Sequence, residues 1–353
     1  MFLLGAGASV EAEIPASATM INEIEGLLKE NSDWKEHLDL YHHVKSAIYY
    51  SSGLKGTFGN GVPYNIETLV NSLYELERNE EHPLYPFIAS WNSRFVSLAG
   101  PHFDNIKKFR RMILRELKKW MCPENASKGD YYQGFTRLQN DLNYPLRIFS
   151  LNYDGLVERL NQPQFRIEAG FGGHGTDHVW DWERFEHSDT GSNPLPQVFL
   201  YKIHGSIDWK RDTSNNLYRV EQIERVEPDR MEIIFGRDFK LDAADPYLFY
   251  AYEFRRFCLL AKIIVTVGYS FGDSHINKML VQSLRTDADR RLVVIARCSK
   301  NEIASKRAEI AERLGVATDR IFPQQGSARA FLENVKLSET LLGLVPKSAG
   351  SPF

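Results

Sequence analysis

Short apolar runs alternate along the chain with longer stretches in which apolar residues recur every three or four positions. The runs at Phe2–Leu4, Leu146–Leu151, Val198–Ile203, Glu232–Phe235, Ile263–Gly268 and Leu292–Ala296 read as strands. Several are continuous, such as Ile263-Ile264-Val265-Thr266-Val267, a pattern expected of strands covered on both faces of a parallel sheet. With helices between them, they predict an α/β fold: a Rossmann-like, doubly wound, mainly parallel sheet.

The strands are unevenly spaced. Thr19–Glu30, Lys35–Tyr50, Asn65–Glu77 and Ile106–Met121 carry helical spacing, and the glycines at 53, 56, 59 and 61 make Ser51–Pro63 a loop. Residues 1–16 and 141–346 are therefore expected to form the sheet domain, 17–140 a helical insertion, and 347–353 a frayed tail. A first strand beginning at residue 2 is abrupt, which leaves room for a segment ahead of it.

Four strand ends carry polar groups where parallel sheets bind ligands. Leu4 runs into Gly5-Ala6-Gly7-Ala8-Ser9, a turn that brings backbone amides toward a phosphate if a helix follows, or simply links strand to helix. Val10 stands where a dinucleotide fingerprint has its third glycine. Leu151 is followed by Asn152-Tyr153-Asp154, whose polar members serve a ligand or cap a helix. Ile203 is followed by His204-Gly205-Ser206, where the imidazole acts as a base or as a structural hydrogen-bonding group. Val267 is followed by Gly268-Tyr269-Ser270-Phe271-Gly272-Asp273, where amides and a hydroxyl can hold a ribose or phosphate and Asp273 can cap a helix through Leu284.

The order of these four motifs resembles the sirtuin superfamily. More narrowly, it resembles the sirtuin-like NAD-hydrolysing domains of bacterial anti-phage defence systems, including those that accompany short Argonautes, HerA-type ATPases and the Thoeris effector. Ile66-Glu67-Thr68-Leu69 also resembles a segment of those proteins. The deacylating sirtuins carry Gly-Ile-Pro-Asp-Phe-Arg after the first turn, where this chain has Glu13-Ile14-Pro15-Ala16-Ser17-Ala18. They also carry a four-cysteine zinc module after the His-Gly pair, which this chain lacks.

The resemblance implies NAD+ as substrate, with Gly5, Ala6, Gly7 and Ser9 at its pyrophosphate and neighbouring ribose. Asn152 would position water and the nicotinamide ribose, and Asp154 would contact the carboxamide or hold Asn152. His204 would be the general base. Gly268 and Ser270 would line the adenosine side, and Arg297, at the end of the last strand, would reach the adenine ribose. The expected reaction is hydrolysis of NAD+ to nicotinamide and ADP-ribose, in a defence effector controlled by oligomerisation or by a partner such as a HerA-type ATPase or short Argonaute. A protein deacylase or ADP-ribosyltransferase, and a non-catalytic nucleotide-binding scaffold, are the alternatives.

Composition narrows the class. Of 353 residues, 43 are basic and 46 acidic, for a net charge of −3, which disfavours a protein that coats nucleic acid. Cys122, Cys258 and Cys298 are too few and too scattered for a four-cysteine zinc site, and they suit a reducing cytoplasm. No apolar run reaches the roughly 20 residues of a membrane span, and Met1–Leu4 is too short for a secretory signal. Lys107–Lys119 holds seven basic residues and one Glu, expected to be a solvated helix face. Glu168–Asp189 contains His174, His178 and His187 with Asp177, Asp181, Trp180 and Trp182, but glycines at 170, 172, 173 and 175 favour a loop beside the pocket over a metal site.

Overall fold

A computed structural model of the chain describes residues 1–62, 64–79, 93–173, 177–186, 195–235 and 245–345. Residues 1–14, 121–233 and 239–353 make one compact unit, and 15–120 with 234–238 make a second. The boundary therefore falls at Trp120 rather than at 140: helix Gly134–Leu142 and the 3₁₀ segment Ala126–Gln133 belong to the sheet unit.

The strands in chain order are β1 (Phe2–Leu4), β2 (Leu146–Ser150), β3 (Ile167–Glu168), β4 (Phe171–Gly172), β5 (Asp177–Trp180), β6 (Val198–Lys202), β7 (Trp209–Arg211), β8 (Leu217–Val220), β9 (Ile263–Val267), β10 (Arg291–Ala296) and β11 (Ile321–Gln325). Among the described residues, seven of them form one sheet in the order β11-β10-β9-β1-β2-β6-β3, with every pairing parallel. From β1 the chain builds outward to one side through β2 and β6. It then returns to the other side of β1 and builds outward through β9, β10 and β11. The fold is thus the expected Rossmann-like, doubly wound α/β sheet, and its topological switch point lies between β1 and β9.

The continuous apolar runs are buried as their composition requires: Leu3, Leu4, Ile148, Val198, Ile264, Val267 and Leu292 lie in the core. Cross-strand packing fixes the register. Phe149 stacks on its β6 partner Tyr201 with ring centroids 4.4 Å apart. The Arg147 guanidinium lies 3.7 Å over the Phe199 ring and donates to the Tyr201 hydroxyl.

Several sequence expectations are corrected. Glu232–Phe235 is not a strand, because only Ile233 bridges, to Gly205, while the Glu232 carbonyl is taken by the Ser206 amide. Arg297 does not end the last strand, since β11 lies beyond it. The glycine-rich stretch near Gly170 is not all loop: β4 and β5 pair antiparallel, Phe171 opposite Trp180, in a second sheet of order β4-β5-β8-β7. Hydrophobic cross-strand pairing outweighs the glycines there. No α-helix follows Gly7; two 3₁₀ turns, Ala6–Ala8 and Val10–Ala12, end at Glu13 with φ of 66°. Helix Ser17–Glu30 begins only beyond Pro15.

In the second unit, helices Ser17–Glu30, Leu38–Leu54, Ile66–Asn79 and Asp104–Trp120 match the predicted helical stretches. Leu38–Leu54 runs into the predicted loop, and the start of Lys35–Tyr50 is a separate short helix, Ser32–Lys35. Trp34, His37 and Tyr41 pack around Phe109. In the basic helix, Ile106, Phe109, Ile113 and Leu117 are buried, and Arg110 pairs with Glu77 at 2.8 Å. None of the described helices is long and apolar enough to cross a membrane. The tail 347–353 lies outside the described residues, as do His174, Gly175, His187 and Asp189.

Candidate functional site

Register brings the four motifs to one edge of the sheet. Leu4 is paired with Ser150 on one side and Val267 on the other, and Ser150 is paired with Lys202. The ladder continues one step past the strand ends, as Leu151 donates to the Leu4 carbonyl and Ile203 to the Ser150 carbonyl, both at 2.9 Å. Asn152 and His204 therefore each follow directly on the last ladder residue of adjacent strands. In an open α/β sheet this C-terminal edge, at the switch point, is where ligands bind.

The first and fourth motifs meet backbone to backbone. The Gly5 amide donates to Val267 and the Gly7 amide to Gly268, at 3.0 and 2.9 Å. A Cβ on Gly5 or Gly7 would lie within 2.8 Å of Gly268 backbone, and one on Gly268, which has φ of 65°, would lie 2.0 Å from the Ala8 nitrogen. These glycines are thus required by the close approach of two loops. Two amides expected to serve a phosphate are already bonded to carbonyls, and Ala6 is exposed. Gly205, with φ of 79°, is needed for a similar reason: a Cβ would fall 2.1 Å from the Glu232 carbonyl oxygen.

Ser9, Asn152 and Asp154 form one buried network. The Ser9 hydroxyl donates to Asp154 Oδ2 at 2.8 Å and accepts from Asn152 Nδ2 at 3.0 Å. Tyr132, whose hydroxyl lies 3.1 Å from Ser9 Oγ, must then be a donor, because the single Ser9 proton is committed. Burial, and then the Asp154 charge, push the Tyr132 phenol well above its ordinary value, so it keeps its proton. With both Ser9 lone pairs filled, only the amide nitrogen of Asn152 can face it. Asn152 Oδ1 is left buried with no partner among the described residues, and the residue is only 7% exposed. Asp154 does not cap a helix; its Oδ1 accepts the Leu156 amide in a turn.

His204 sits beside the Tyr153 ring, at 6.5 Å between centroids, and its Nε2 lies 3.2 Å from Asp273 Oδ2. A carboxylate accepts, so Nε2 carries the proton and Nδ1 of the neutral ring keeps a lone pair. Asp273 also caps helix Ser274–Thr286, its Oδ1 accepting the His275 and Ile276 amides at 2.8 and 3.0 Å. Burial pushes the Asp273 carboxyl up, but the His204 bond and the two amides hold it below the usual range. A carboxylate held down contributes stability that is complete above about pH 4 and is lost as the pH falls below it. The acid limb of stability against pH is therefore expected to be shallower for Asp273→Asn than for wild type. Superimposable limbs in chemical denaturation would refute the pairing.

The remaining predicted residues are more peripheral. Ser270 is exposed. Arg297, 58% exposed at its side chain, pairs with Glu11 at 3.8 Å. Glu11 in turn accepts the Arg329 amide at 2.9 Å. Three buried or half-buried residues escaped the sequence reading, Tyr132, Lys202 and, as a partner of His204, Asp273, while Ser206 stood in its motif without a role. Lys202 had a signal, a lone cation in an apolar run. Tyr132 had none, since it lies outside any periodic segment.

Among the described residues, no group of three His, Cys, Asp or Glu side chains is placed to hold a metal. His178 contacts Glu221 at 3.5 Å, and Asp181 caps the 3₁₀ turn Trp182–Phe185.

A family model described as a SIR2-like domain matches residues 146–317, a little under half of the chain. No curated protein matches. Among solved structures, a Sir2 homologue–NAD complex is 15% identical, covering 98% of this chain and 90% of its own, with a TM-score of 0.44. A Sir2 homologue mutant in complex with ADP-ribose is 14% identical, covering 98% and 94%, with a TM-score of 0.45. Overlaps this loose carry no argument. Residues 146–317, which hold Asn152, Asp154, His204, Gly268, Ser270 and Asp273, are similar to the SIR2-like domain family.

Proposed function

We propose that the chain is an NAD+ glycohydrolase that releases nicotinamide and ADP-ribose. The observation that carries this reading is the orphaned Asn152 Oδ1. A buried acceptor without a partner costs about 1–3 kcal/mol. It is oriented by a saturated network and stands at the edge where such sheets bind ligands. Its complement is a donor on a ligand, such as a ribose hydroxyl or a water. His204 supplies the second requirement, a lone pair fixed in place by Asp273. The similarity of residues 146–317 to the SIR2-like domain, and the order of the four motifs, support NAD+ as that ligand.

In this reading a water oxygen bonds to the ribose C1′ as the C1′–N bond breaks. The bonding pair leaves on nicotinamide, and the water proton passes to His204. Positively charged nicotinamide leaves without help from an acid. The chain's own work is to orient water and ribose, hold Asn152 and accept the proton. Gly5, Ala6, Gly7 and Ser9 line the pyrophosphate side and Gly268 and Ser270 the adenosine side, with Arg297 at its rim.

On the same resemblance, the activity depletes NAD+ in bacterial antiviral defence and is restrained or triggered by oligomerisation or by a partner protein. The test is chromatography of NAD+ incubated with purified protein, with and without an acyl-lysine peptide. Nicotinamide and ADP-ribose released in equal amounts without peptide support the glycohydrolase. Product formed only with peptide would make the protein a deacylase or transferase. Binding of NAD+ without product, in every assembly state tested, would make it a scaffold.

A further inference from the structure

Lys202 ends β6 two residues before His204, and its side chain is 2% exposed. Its Nζ lies 2.5 Å from the Asp154 carbonyl oxygen, 2.7 Å from Ser206 Oγ and 3.0 Å from Glu158 Oε1. The Tyr153 carbonyl oxygen is a fourth acceptor at 3.3 Å, so the three donors of the ammonium are shared among four acceptors. Ser206, having accepted from Lys202, donates to the Tyr153 carbonyl at 3.2 Å. The Ile207 amide reaches that same carbonyl at 3.3 Å. A single buried cation therefore ties the carbonyls of the Asn152–Asp154 turn to the His204–Ser206 turn.

We infer that Lys202 is a positioning residue that sets the placement of Asn152 relative to His204; this rests on the NAD+ reading. Backbone carbonyls are the groups it grips, so it acts on where the Asn152 turn sits, while Ser9 acts on how the Asn152 side chain is rotated. A buried ion pair is weak evidence for stability, since apolar replacements of both partners are often as stable. That makes a positional role the better account of a lysine in an otherwise apolar strand. Glu158 is the balancing charge; burial raises its carboxyl above the ordinary range despite Lys202.

The test uses the double variant Lys202→Met with Glu158→Leu, which removes both charges and leaves no buried ion unpaired, beside the single Lys202→Met. The double variant is expected to unfold at nearly the wild-type temperature, yet to lose about 10²-fold in kcat with KM near wild type, as for reacting groups displaced by about 1 Å. Amide hydrogen exchange is expected to rise in 151–156 and 203–206 and to stay unchanged in β9 and β10. A double variant with wild-type kcat and unchanged exchange overturns the inference. Wild-type protein without NAD+ turnover would overturn the NAD+ reading instead, and the exchange data would then decide the role of Lys202 by themselves.

Discussion

Asn152→Ala is expected to lower kcat for NAD+ cleavage by about 10²–10³-fold, the loss typical of removing one preorganised polar group from a reacting centre. The reasoning is an account of lone pairs. Ser9 has one proton and gives it to Asp154; its two acceptor positions are filled by Tyr132 and Asn152. Asn152 cannot rotate to offer Oδ1 to Ser9, because no proton is left to meet it. The carbonyl end is held ready, and removing it leaves nothing else in the network to take its place. Truncation also strips Ser9 of a donor, so a stability loss of about 1 kcal/mol is expected alongside. Release of nicotinamide measured at saturating NAD+, with calorimetry of NAD+ binding, separates the two effects. Turnover within threefold of wild type would remove Asn152 from the chemistry, and with it the observation on which the functional proposal stands.

His204→Ala is expected to cost about 10²–10⁴-fold in kcat, the usual contribution of a positioned base. Asp273→Asn refines this test. The carboxylate fixes the imidazole with its proton on Nε2, and an amide in its place can donate to Nε2 and move the proton to Nδ1. Asp273→Asn should therefore lose much of the rate while keeping the cap of helix Ser274–Thr286, because the asparagine oxygen still accepts the His275 and Ile276 amides. A modest loss of folding stability near neutral pH, where the carboxylate contributes in full, with a much larger loss in kcat is the expected pair of results. Full activity in Asp273→Asn would make Asp273 a cap alone, and full activity in His204→Ala would end the base assignment.

Much of the sheet could be read from the chain because buried parallel strands carry their own signature. The runs at β1, β6, β9 and β10 are largely apolar, and β2 is interrupted only by Arg147, so no knowledge of their neighbours was needed to find them. The strand at β11, Ile-Phe-Pro-Gln-Gln, alternates and contains proline, and its place at the sheet edge is what permits that. The antiparallel sheet was hidden for a different reason. β4, β5, β7 and β8 have two to four residues each and gain their stability from pairing with each other, which local sequence does not report.

The polar groups divide in the same way. Asn152, Asp154 and His204 could be singled out because each follows an apolar strand, and strand ends are where a sheet exposes chemistry. Their partners come from elsewhere in the chain: Ser9 lies 143 residues from Asn152, and Asp273 lies 69 from His204. The sequence by itself determined the strand runs, the doubly wound class and the order of the polar motifs, since hydrophobic periodicity and turn residues act over a few positions. Only the tertiary structure decided the strand order, the contact of Gly5 and Gly7 with Gly268, the free oxygen of Asn152 and the lysine beneath it. Those depend on which distant atoms saturate which hydrogen bonds, and that is settled when the strands come into register.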